Sequence, residues 1–163
     1  MVTAVTRSAT VLVVSTRAAA GVYEDRTGPV ISAWLRERGF EVTLEVTPDA
    51  EVGETLARLL AEHPSVLLTT GGTGVSPDDR TPEATRALLD AELPGIAEEV
   101  RRRGTAVTPT AVLSRAFAGV AGRTLVMNLP GSSGGVRDGL AVLDGILDHA
   151  IAQIAGAGDH GAR

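Results

Sequence analysis

The sequence predicts an α/β fold with a mostly parallel sheet. Two observations support this prediction. Apolar runs of strand length alternate along the chain with amphipathic stretches of helix length, and this alternation is typical of right-handed crossovers between parallel strands. The chain also contains no repeat, linker or low-complexity segment that would divide it. We therefore expect one domain over residues 1–163, ending in a flexible tail at residues 156–163.

The first half of the chain predicts three strands and two helices. Residues 10–14 form a continuous apolar run, which is typical of a strand buried on both faces. After a polar loop, residues 28–39 have a proline in the first turn and a glycine at the end, which predicts a helix. Residues 40–46 alternate like a half-buried strand, a second amphipathic helix ends near Pro64, and residues 65–69 predict the third strand.

The second half predicts four helices and one further strand. Residues 81–89 begin with a threonine cap and a proline, which indicates a helix start. A short helix then ends at Gly104, and another is expected at residues 111–118. Residues 124–129 form the last predicted strand. The apolar stripe over residues 136–154 recurs every three to four positions, so we expect one long helix there.

Composition excludes several classes of function. The net charge is −5 and only 2% of the residues are aromatic, whereas nucleic-acid binding needs a basic surface and often aromatic stacking, so we expect no nucleic-acid partner. The chain has no Cys and no Lys, which excludes a thiolate nucleophile, a Schiff base and the lysine of a Walker A loop. The three His residues lack the spacing of zinc ligands.

The N-terminal segment does not have the pattern of an export signal. The apolar run at residues 9–14 is shorter than the core of a signal peptide, and Arg17 lies where a cleavage region would be uncharged. No apolar stretch is long enough to cross a bilayer. We therefore expect a cytoplasmic protein without a membrane partner.

Candidate functional residues lie in loops that follow predicted strands. In open parallel sheets, ligands bind outside the carboxyl ends of the strands. Four loops meet this condition, and all are rich in small or acidic residues: 15–28, 47–49, 69–80 and 128–135. Because the fold brings these ends to one edge of the sheet, we expect the four loops to lie together.

The loop at residues 69–74 is the strongest candidate for binding phosphate. It has three glycines within four residues directly after a buried strand, so backbone N–H groups can approach an anion without interference from Cβ atoms. The alternative is a tight turn between strand and helix. Residues 128–135 repeat the pattern before the last helix, where N–H groups attract anions; the alternative there is ordinary serine capping.

Acidic residues beside these loops suggest a metal ion. Asp78 and Asp79 follow the glycine loop, and Asp49 lies in a neighbouring loop. Mg²⁺ binds through one or two carboxylates together with substrate phosphates and water. The alternative is that Asp49 caps a helix and the other two are solvated. Four arginines could neutralise phosphate or simply be surface charges, namely Arg17, Arg26, Arg80 and Arg115. We assign no function to residues 101–103, since arginines suit a helix C-terminus.

Several ordered motifs together resemble one known family. They are Gly21-Val22-Tyr23-Glu24-Asp25, Pro48-Asp49, Thr69-Thr70-Gly71-Gly72-Thr73-Gly74 with Asp79, Thr81 and Pro82, Pro109-Thr110-Ala111-Val112-Leu113-Ser114-Arg115, and Asn128-Leu129-Pro130-Gly131-Ser132. In this respect the chain resembles the MogA/MoaB family of molybdenum cofactor biosynthesis over about residues 11–147. The resemblance implies a Rossmann-like, three-layer fold and a homotrimer or homohexamer.

The resemblance also implies an activity and a set of site residues. The expected reaction is adenylylation of molybdopterin by ATP with Mg²⁺, releasing pyrophosphate. Asp49 and Asp79 would be the catalytic and metal-binding acids. The residues implied for nucleotide binding are Ser15, Arg17, Thr70, Gly71, Gly72, Thr73 and Gly74. Those implied for molybdopterin are Ser114, Asn128, Pro130, Gly131, Ser132 and Ser133.

Two positions depart from the family pattern. Thr16 lies where many relatives have Asp, and Gly134 with Gly135 replaces a Pro-Lys or similar pair, which removes a positive charge. These departures motivate one alternative, a molybdopterin-binding protein of the same fold without catalysis. A second alternative is a nucleotide hydrolase of the competence-damage type, because glycine loops and acids suit both reactions.

Overall fold

A mixed sheet forms the centre of the computed structural model, which describes residues 7–156. In this part of the chain the sheet has six strands: β1 Ser8–Val14, β2 Glu41–Thr47, β3 Val66–Thr70, β4 Ala91–Glu92, β5 Ala118–Ala121 and β6 Thr124–Leu129. Their order is β2-β1-β3-β6-β5-β4. The first four in that order are parallel, whereas β5 and β4 pair antiparallel. The prediction of an α/β fold with a mostly parallel sheet is confirmed.

Helices cover both faces of this sheet. The α-helices are α1 Thr16–Ala19, α2 Thr27–Glu37, α3 Val52–Leu60, α4 Thr81–Arg86, α5 Pro94–Thr105, α6 Ser133–Asp144 and α7 Leu147–Ile154. Within residues 7–156 two 3₁₀-helices span Asp49–Glu51 and Pro109–Leu113. Helices α2, α5, α6 and α7 contribute to one buried cluster, and α3 packs with α4 on the other. The result is the expected three layers.

Alternation along the strands creates the two cores. Successive strand residues face opposite sides of a sheet, so Val11 and Leu68 join the α2 side while Leu12 and Leu67 join the α3 side. All four are fully buried. Burying one such side chain stabilises the fold by about 1.5–3 kcal/mol, which explains why strands covered on both faces are continuous apolar runs.

Three predicted elements differ in the structure. The helix expected at residues 111–118 is wrong: the 3₁₀-helix ends at Leu113, and the chain then continues extended into β5. Tertiary contacts override helical spacing here, since the Arg115 N–H donates to the Thr73 carbonyl at 2.8 Å. At Gly119 an added Cβ would lie 2.3 Å from the Ala91 carbonyl oxygen, so this short antiparallel pairing needs glycine.

The long helix expected at residues 136–154 is two helices, because α6 ends at Asp144 and α7 begins at Leu147. The apolar stripe continues across the break because both helices pack on the same core, so spacing alone did not reveal it. The short helix α1 lies where a polar loop was expected. No helix within residues 7–156 is long and apolar enough to span a membrane. Apart from Gly156, the tail expected at 156–163 lies outside the described residues.

The topology also defines where a ligand site is expected. From β1 the chain order runs to β2 on one side and to β3 on the other, so strand order reverses between β1 and β3. In the parallel register, Val14 is aligned with Thr47, and Thr70 with Leu129. The four parallel strands therefore end at the same edge, beside a topological switch point.

Candidate functional site

The loops after β3 and β6 meet directly at this edge. The Gly71 N–H donates to the Leu129 carbonyl at 3.2 Å, and the Thr70 hydroxyl donates to the Pro130 carbonyl at 2.9 Å. A Cβ added to Gly131 would lie 3.4 Å from the Gly71 Cα. Convergence of these two predicted loops is therefore observed, at a contact where glycine backbones approach closely.

Glycine is required at two positions of the loop after β3. Gly71 and Gly72 have φ angles of +95° and +66°, a left-handed region that L-residues with a Cβ rarely adopt. A Cβ at Gly71 would lie 2.4 Å from the Val14 carbonyl oxygen, and one at Gly72 would lie 2.3 Å from Thr81 Oγ1. The loop is thus a tight turn as well as an exposed array of backbone amides, and the two interpretations are compatible.

Two cavities lie at this edge of the sheet, and the larger of these two, about 510 Å³, lies between the glycine loop and α5. Of the predicted site residues it contacts Gly72, Thr73, Gly74, Asp79, Ser114, Asn128, Pro130, Gly131 and Ser132. Its opposite wall is mostly apolar and is formed by Ala97, Val100, Val107, Ala111, Leu113 and Ala116. A cleft with one apolar wall and a few convergent polar groups suits a planar heterocycle with polar edges.

A smaller cavity of about 290 Å³ lies at the ends of β1 and β3. Of the predicted site residues it contacts Ser15, Thr70, Gly71, Gly131, Ser132 and Ser133, and it is also lined by Tyr23 and Arg26. The two cavities share Gly131 and Ser132. The structure therefore groups the predicted residues differently from the sequence. Gly72, Thr73 and Gly74 of the nucleotide set line the larger cavity with most of the molybdopterin set, whereas Ser133 of the molybdopterin set lines the smaller cavity with Ser15.

Both predicted catalytic acids lie against the glycine loop. Asp49 Oδ2 accepts hydrogen bonds from Thr16, at 3.1 Å from its N–H and 2.7 Å from its hydroxyl. Asp49 Oδ1 lies 3.1 Å from the place a Cβ would take on Gly72. Asp79 Oδ2 accepts from the Ser76 N–H at 3.1 Å and lies 2.9 Å from the corresponding place on Gly74. Asp79 lines the larger cavity, whereas Asp49 lines neither.

The acids beside the glycine loop would suit a hydrated Mg²⁺ that also binds phosphate, and not a closed protein cage. Residues 7–156 contain no group of three or more acidic, His or Cys side chains placed for a metal, and Mg²⁺ characteristically uses one or two carboxylates. Beneath Gly72, the buried Thr81 hydroxyl has no hydrogen-bond partner within that range. Asp78 is exposed and lines neither cavity.

Arg115 holds the glycine loop instead of serving as a free cation. Its Nε donates to the Gly74 carbonyl at 2.7 Å, and its Nη2 donates to the Asp79 carbonyl at 3.0 Å. Its Nη1 pairs with Glu83. The backbone N–H of Glu83 and, after it, the Arg115 guanidinium lower the pKa of the Glu83 carboxyl. Each of the three guanidinium nitrogens of Arg115 thus has a partner within the protein, and Arg115 lines neither cavity, which favours a structural role over phosphate binding.

Two other arginines line the larger cavity and were missed from the sequence. Arg101 donates to the carbonyls of Ser114 and Ala116 at 3.2 Å each, and Arg137 lines the same cavity. Helical spacing could have revealed Arg101, since Ala97 lies four residues before it on the same cavity-facing side of α5. Arg17, in contrast, is exposed, lines neither cavity, and lies 5.8 Å from the Tyr23 ring centre.

Asn128 joins three elements beneath the cavity. Its Oδ1 accepts from the Phe117 N–H at 3.0 Å, and its Nδ2 donates to the hydroxyls of Thr69 and Thr85 at 2.9 Å each. The residue is 2% exposed. Because these three bonds occupy the amide, Asn128 shapes the base of the cavity through internal contacts.

The fold and site define an α/β protein with adjoining ligand cavities at the carboxyl ends of parallel strands, around a glycine-rich loop. Within this class, residues 10–149 match the family model described as "probable molybdopterin binding domain". The chain belongs to this family, and the resemblance to the MogA/MoaB proteins is confirmed.

Two similar proteins are longer than the matched region. A molybdenum cofactor biosynthesis bifunctional protein of Synechococcus elongatus is 40% identical over 94% of this chain and 49% of its own length. A molybdopterin adenylyltransferase of Haemophilus influenzae is 38% identical, over 83% and 70% respectively. The chain thus spans about half of the first relative.

Solved structures match over nearly their full length. The molybdopterin biosynthesis Mog protein of Mycobacterium ulcerans is 51% identical with a TM-score of 0.88, over 91% of this chain and 99% of that one. The molybdopterin biosynthesis enzyme MoaB of Thermus thermophilus is 43% identical with a TM-score of 0.83, over 93% and 98%.

Proposed function

We propose that this protein is a molybdopterin adenylyltransferase that joins the AMP part of ATP to the phosphate of molybdopterin and releases pyrophosphate. The observation that carries the proposal is the pair of adjoining cavities that share Gly131 and Ser132 beside a glycine loop flanked by two acids. A transfer between two substrates requires such adjacent sites. Relatives that carry this enzyme name support the proposal.

The proposed mechanism depends on positioning. Nucleotidyl transfer involves little covalent chemistry by the protein and relies on orientation and charge stabilisation. The molybdopterin phosphate is itself the attacking group, so no general base is needed. Asp49 and Asp79 would hold Mg²⁺, which when bound neutralises charge on the phosphates. The amides of the loop at residues 71–74 would orient the phosphate chain.

The two cavities suggest how the substrates divide. The apolar wall formed partly by α5 suits a flat ring, and Arg101 and Arg137 line the same cavity. The hydroxyls of Ser15, Ser132 and Ser133 in the smaller cavity suit phosphate oxygens. Arg137 provides positive charge near Gly134, where an added Cβ would lie 4.0 Å from Arg137 Nη2, and Arg101 lines the same cavity. The departure from the family pattern therefore leaves the cleft with cations.

Further parts of the proposal concern the protein in the cell. We propose that it acts in the cytoplasm as a homotrimer or homohexamer, as the family resemblance implies. Size-exclusion chromatography with light scattering measures the assembly directly. A monomer at micromolar concentration would contradict this part without affecting the proposed reaction.

Pyrophosphate release from ATP, with and without molybdopterin, tests the proposed reaction. We expect Mg²⁺-dependent release only when molybdopterin is present. Release from nucleotides or nucleotide sugars without the pterin would instead indicate a hydrolase. Calorimetry that detects molybdopterin binding but no binding of Mg²⁺·ATP would indicate a non-catalytic binding protein.

A further inference from the structure

Thr16 and Asp49 are joined by three hydrogen bonds although they lie 33 residues apart. The Thr16 hydroxyl donates to Asp49 Oδ2 at 2.7 Å and accepts from the Asp49 N–H at 3.1 Å. The Thr16 N–H donates to the same Oδ2 at 3.1 Å. A hydroxyl can donate and accept at once, which an ionised carboxylate cannot do.

The surrounding backbone makes these bonds possible. The Ser15 N–H donates to the Thr47 carbonyl at 2.9 Å, which aligns the ends of β1 and β2. The Ser15 hydroxyl then accepts from the Ala18 N–H at 3.1 Å and caps α1. Thr16 is the first residue of α1, and N–H groups in a first helical turn have no partner within the helix. Its N–H is therefore available to Asp49.

The consequence is a defined orientation for the Asp49 carboxylate. Since Thr16 holds Oδ2, Oδ1 is directed toward Gly72, 3.1 Å from the place where a Cβ would lie. An acidic side chain at position 16 would instead place a second carboxylate beside the first, and the two anions would repel each other. The neutral hydroxyl keeps one carboxylate at this point of the loop.

We propose that Thr16 is a positioning residue for Asp49, holding the orientation in which its carboxylate serves the metal and the phosphate chain. This inference rests on the proposed function for its catalytic consequence, but the orientation itself does not. It also changes the meaning of the departure at position 16. On this proposal, Thr16 supports the acidic site through its hydroxyl, and its presence does not indicate that catalysis has been lost.

Hydrogen exchange of backbone amides tests the contact between Thr16 and Asp49 without a measurement of enzyme activity. Thr16→Val removes the acceptor of the Asp49 N–H and keeps the backbone donor, so the Asp49 amide should exchange about tenfold faster by NMR. Thr16→Ser should restore slow exchange, and the Ser15 amide should not change in either variant. Thr43→Val, at an exposed residue of β2, is the matched control. Unchanged exchange of the Asp49 amide in Thr16→Val would overturn the inference.

Binding and turnover test the functional consequence. We expect Thr16→Val to raise the Mg²⁺ concentration that half-saturates ATP binding, and to lower kcat about tenfold with little change in KM for molybdopterin. Thr16→Ser should recover most of the loss. Equal activity and Mg²⁺ dependence in the wild type and Thr16→Val would overturn this consequence. No pterin-dependent reaction in the wild type would refute the proposed function alone, because the exchange result stands separately.

Discussion

Asp49 and Asp79 lie against the same glycine loop, yet different kinds of contact hold them. Asp49 is oriented by the hydroxyl and the backbone N–H of Thr16, which comes from another strand end. Asp79 closes a local turn, in which its N–H donates to the Ser76 carbonyl at 3.0 Å and its carboxylate accepts from the Ser76 N–H. Arg115 then secures that turn through the Asp79 carbonyl.

The difference shows two ways to fix a reactive group at a strand end. The orientation of Asp49 depends largely on the hydroxyl of Thr16, so replacing this one side chain should change the site without unfolding the loop. The orientation of Asp79 depends on a backbone turn and on the guanidinium of Arg115. A substitution there should therefore change the stability of the fold and the geometry of the site together. The following predictions separate these two cases, in order of expected effect.

Removing either acid should have the largest effect. We expect Asp49→Asn and Asp79→Asn each to lower pyrophosphate release about 100-fold or more, since charge stabilisation at the phosphates is lost. Both variants should keep the molybdopterin affinity of the wild type by calorimetry. Asp78→Asn is the control and should remain active, because Asp78 is exposed and outside both cavities. Near-normal turnover in Asp79→Asn would contradict the metal-binding role.

Alanine substitutions at Gly72, beside Asp49, and at Gly74, beside Asp79, should lower the stability of the protein by different amounts. Gly72→Ala combines a positive φ with contacts of 2.3 Å to Thr81 Oγ1 and 3.1 Å to Asp49 Oδ1, so we expect a loss of roughly 2–4 kcal/mol. Gly74→Ala meets only the Asp79 carboxylate, at 2.9 Å, and should cost less than about 1 kcal/mol because that side chain can move. Urea unfolding measures both values. Equal losses would show that the loop is uniformly rigid.

Replacing Arg115 should weaken stability and activity together. Arg115→Ala removes donors to the carbonyls of Gly74 and Asp79, and we expect a loss of about 2 kcal/mol in urea unfolding with a lower kcat. Arg115→Lys keeps the charge but lacks the planar fork that bonds two carbonyls, so it should recover only part of the loss. Full recovery by Lys would mean that charge, and not geometry, matters at this position.

Glu83→Gln should have the smallest effect. Its pairing with Arg115 is solvent-exposed, with 61% of the Glu83 side-chain surface accessible, so we expect a loss below about 1 kcal/mol. The pKa of Glu83 is lowered from its ordinary value of 4.5. Its contribution is therefore present above pH 4.5 and lost as the pH falls below it. The stability difference between wild type and Glu83→Gln should shrink from neutral pH to about pH 3. A difference that grows in acid would contradict this assignment.

Local sequence patterns were sufficient to predict those helices and strands whose apolar periodicity agrees with their packing in the fold. The runs that became β1, β3 and β6 are buried on both faces, so composition alone indicates strands in a covered sheet. The glycine loop was also predictable, because a turn with positive φ needs glycine. The predicted helix at residues 111–118 was wrong because a long-range bond from Arg115 to Thr73 holds that segment extended.

The α/β fold, the strand-end loops and the types of chemical group in these loops follow from the amino-acid sequence alone. Apolar periodicity and glycine spacing are local properties, which a single chain displays directly. Which of these groups already have partners becomes visible only in the folded chain. Arg115 and Asn128 are engaged internally, Arg101 and Arg137 line the cleft, and Thr16 holds Asp49. Hydrogen bonds between residues distant in sequence determine which side chains have internal partners, because each side chain has few donors and acceptors.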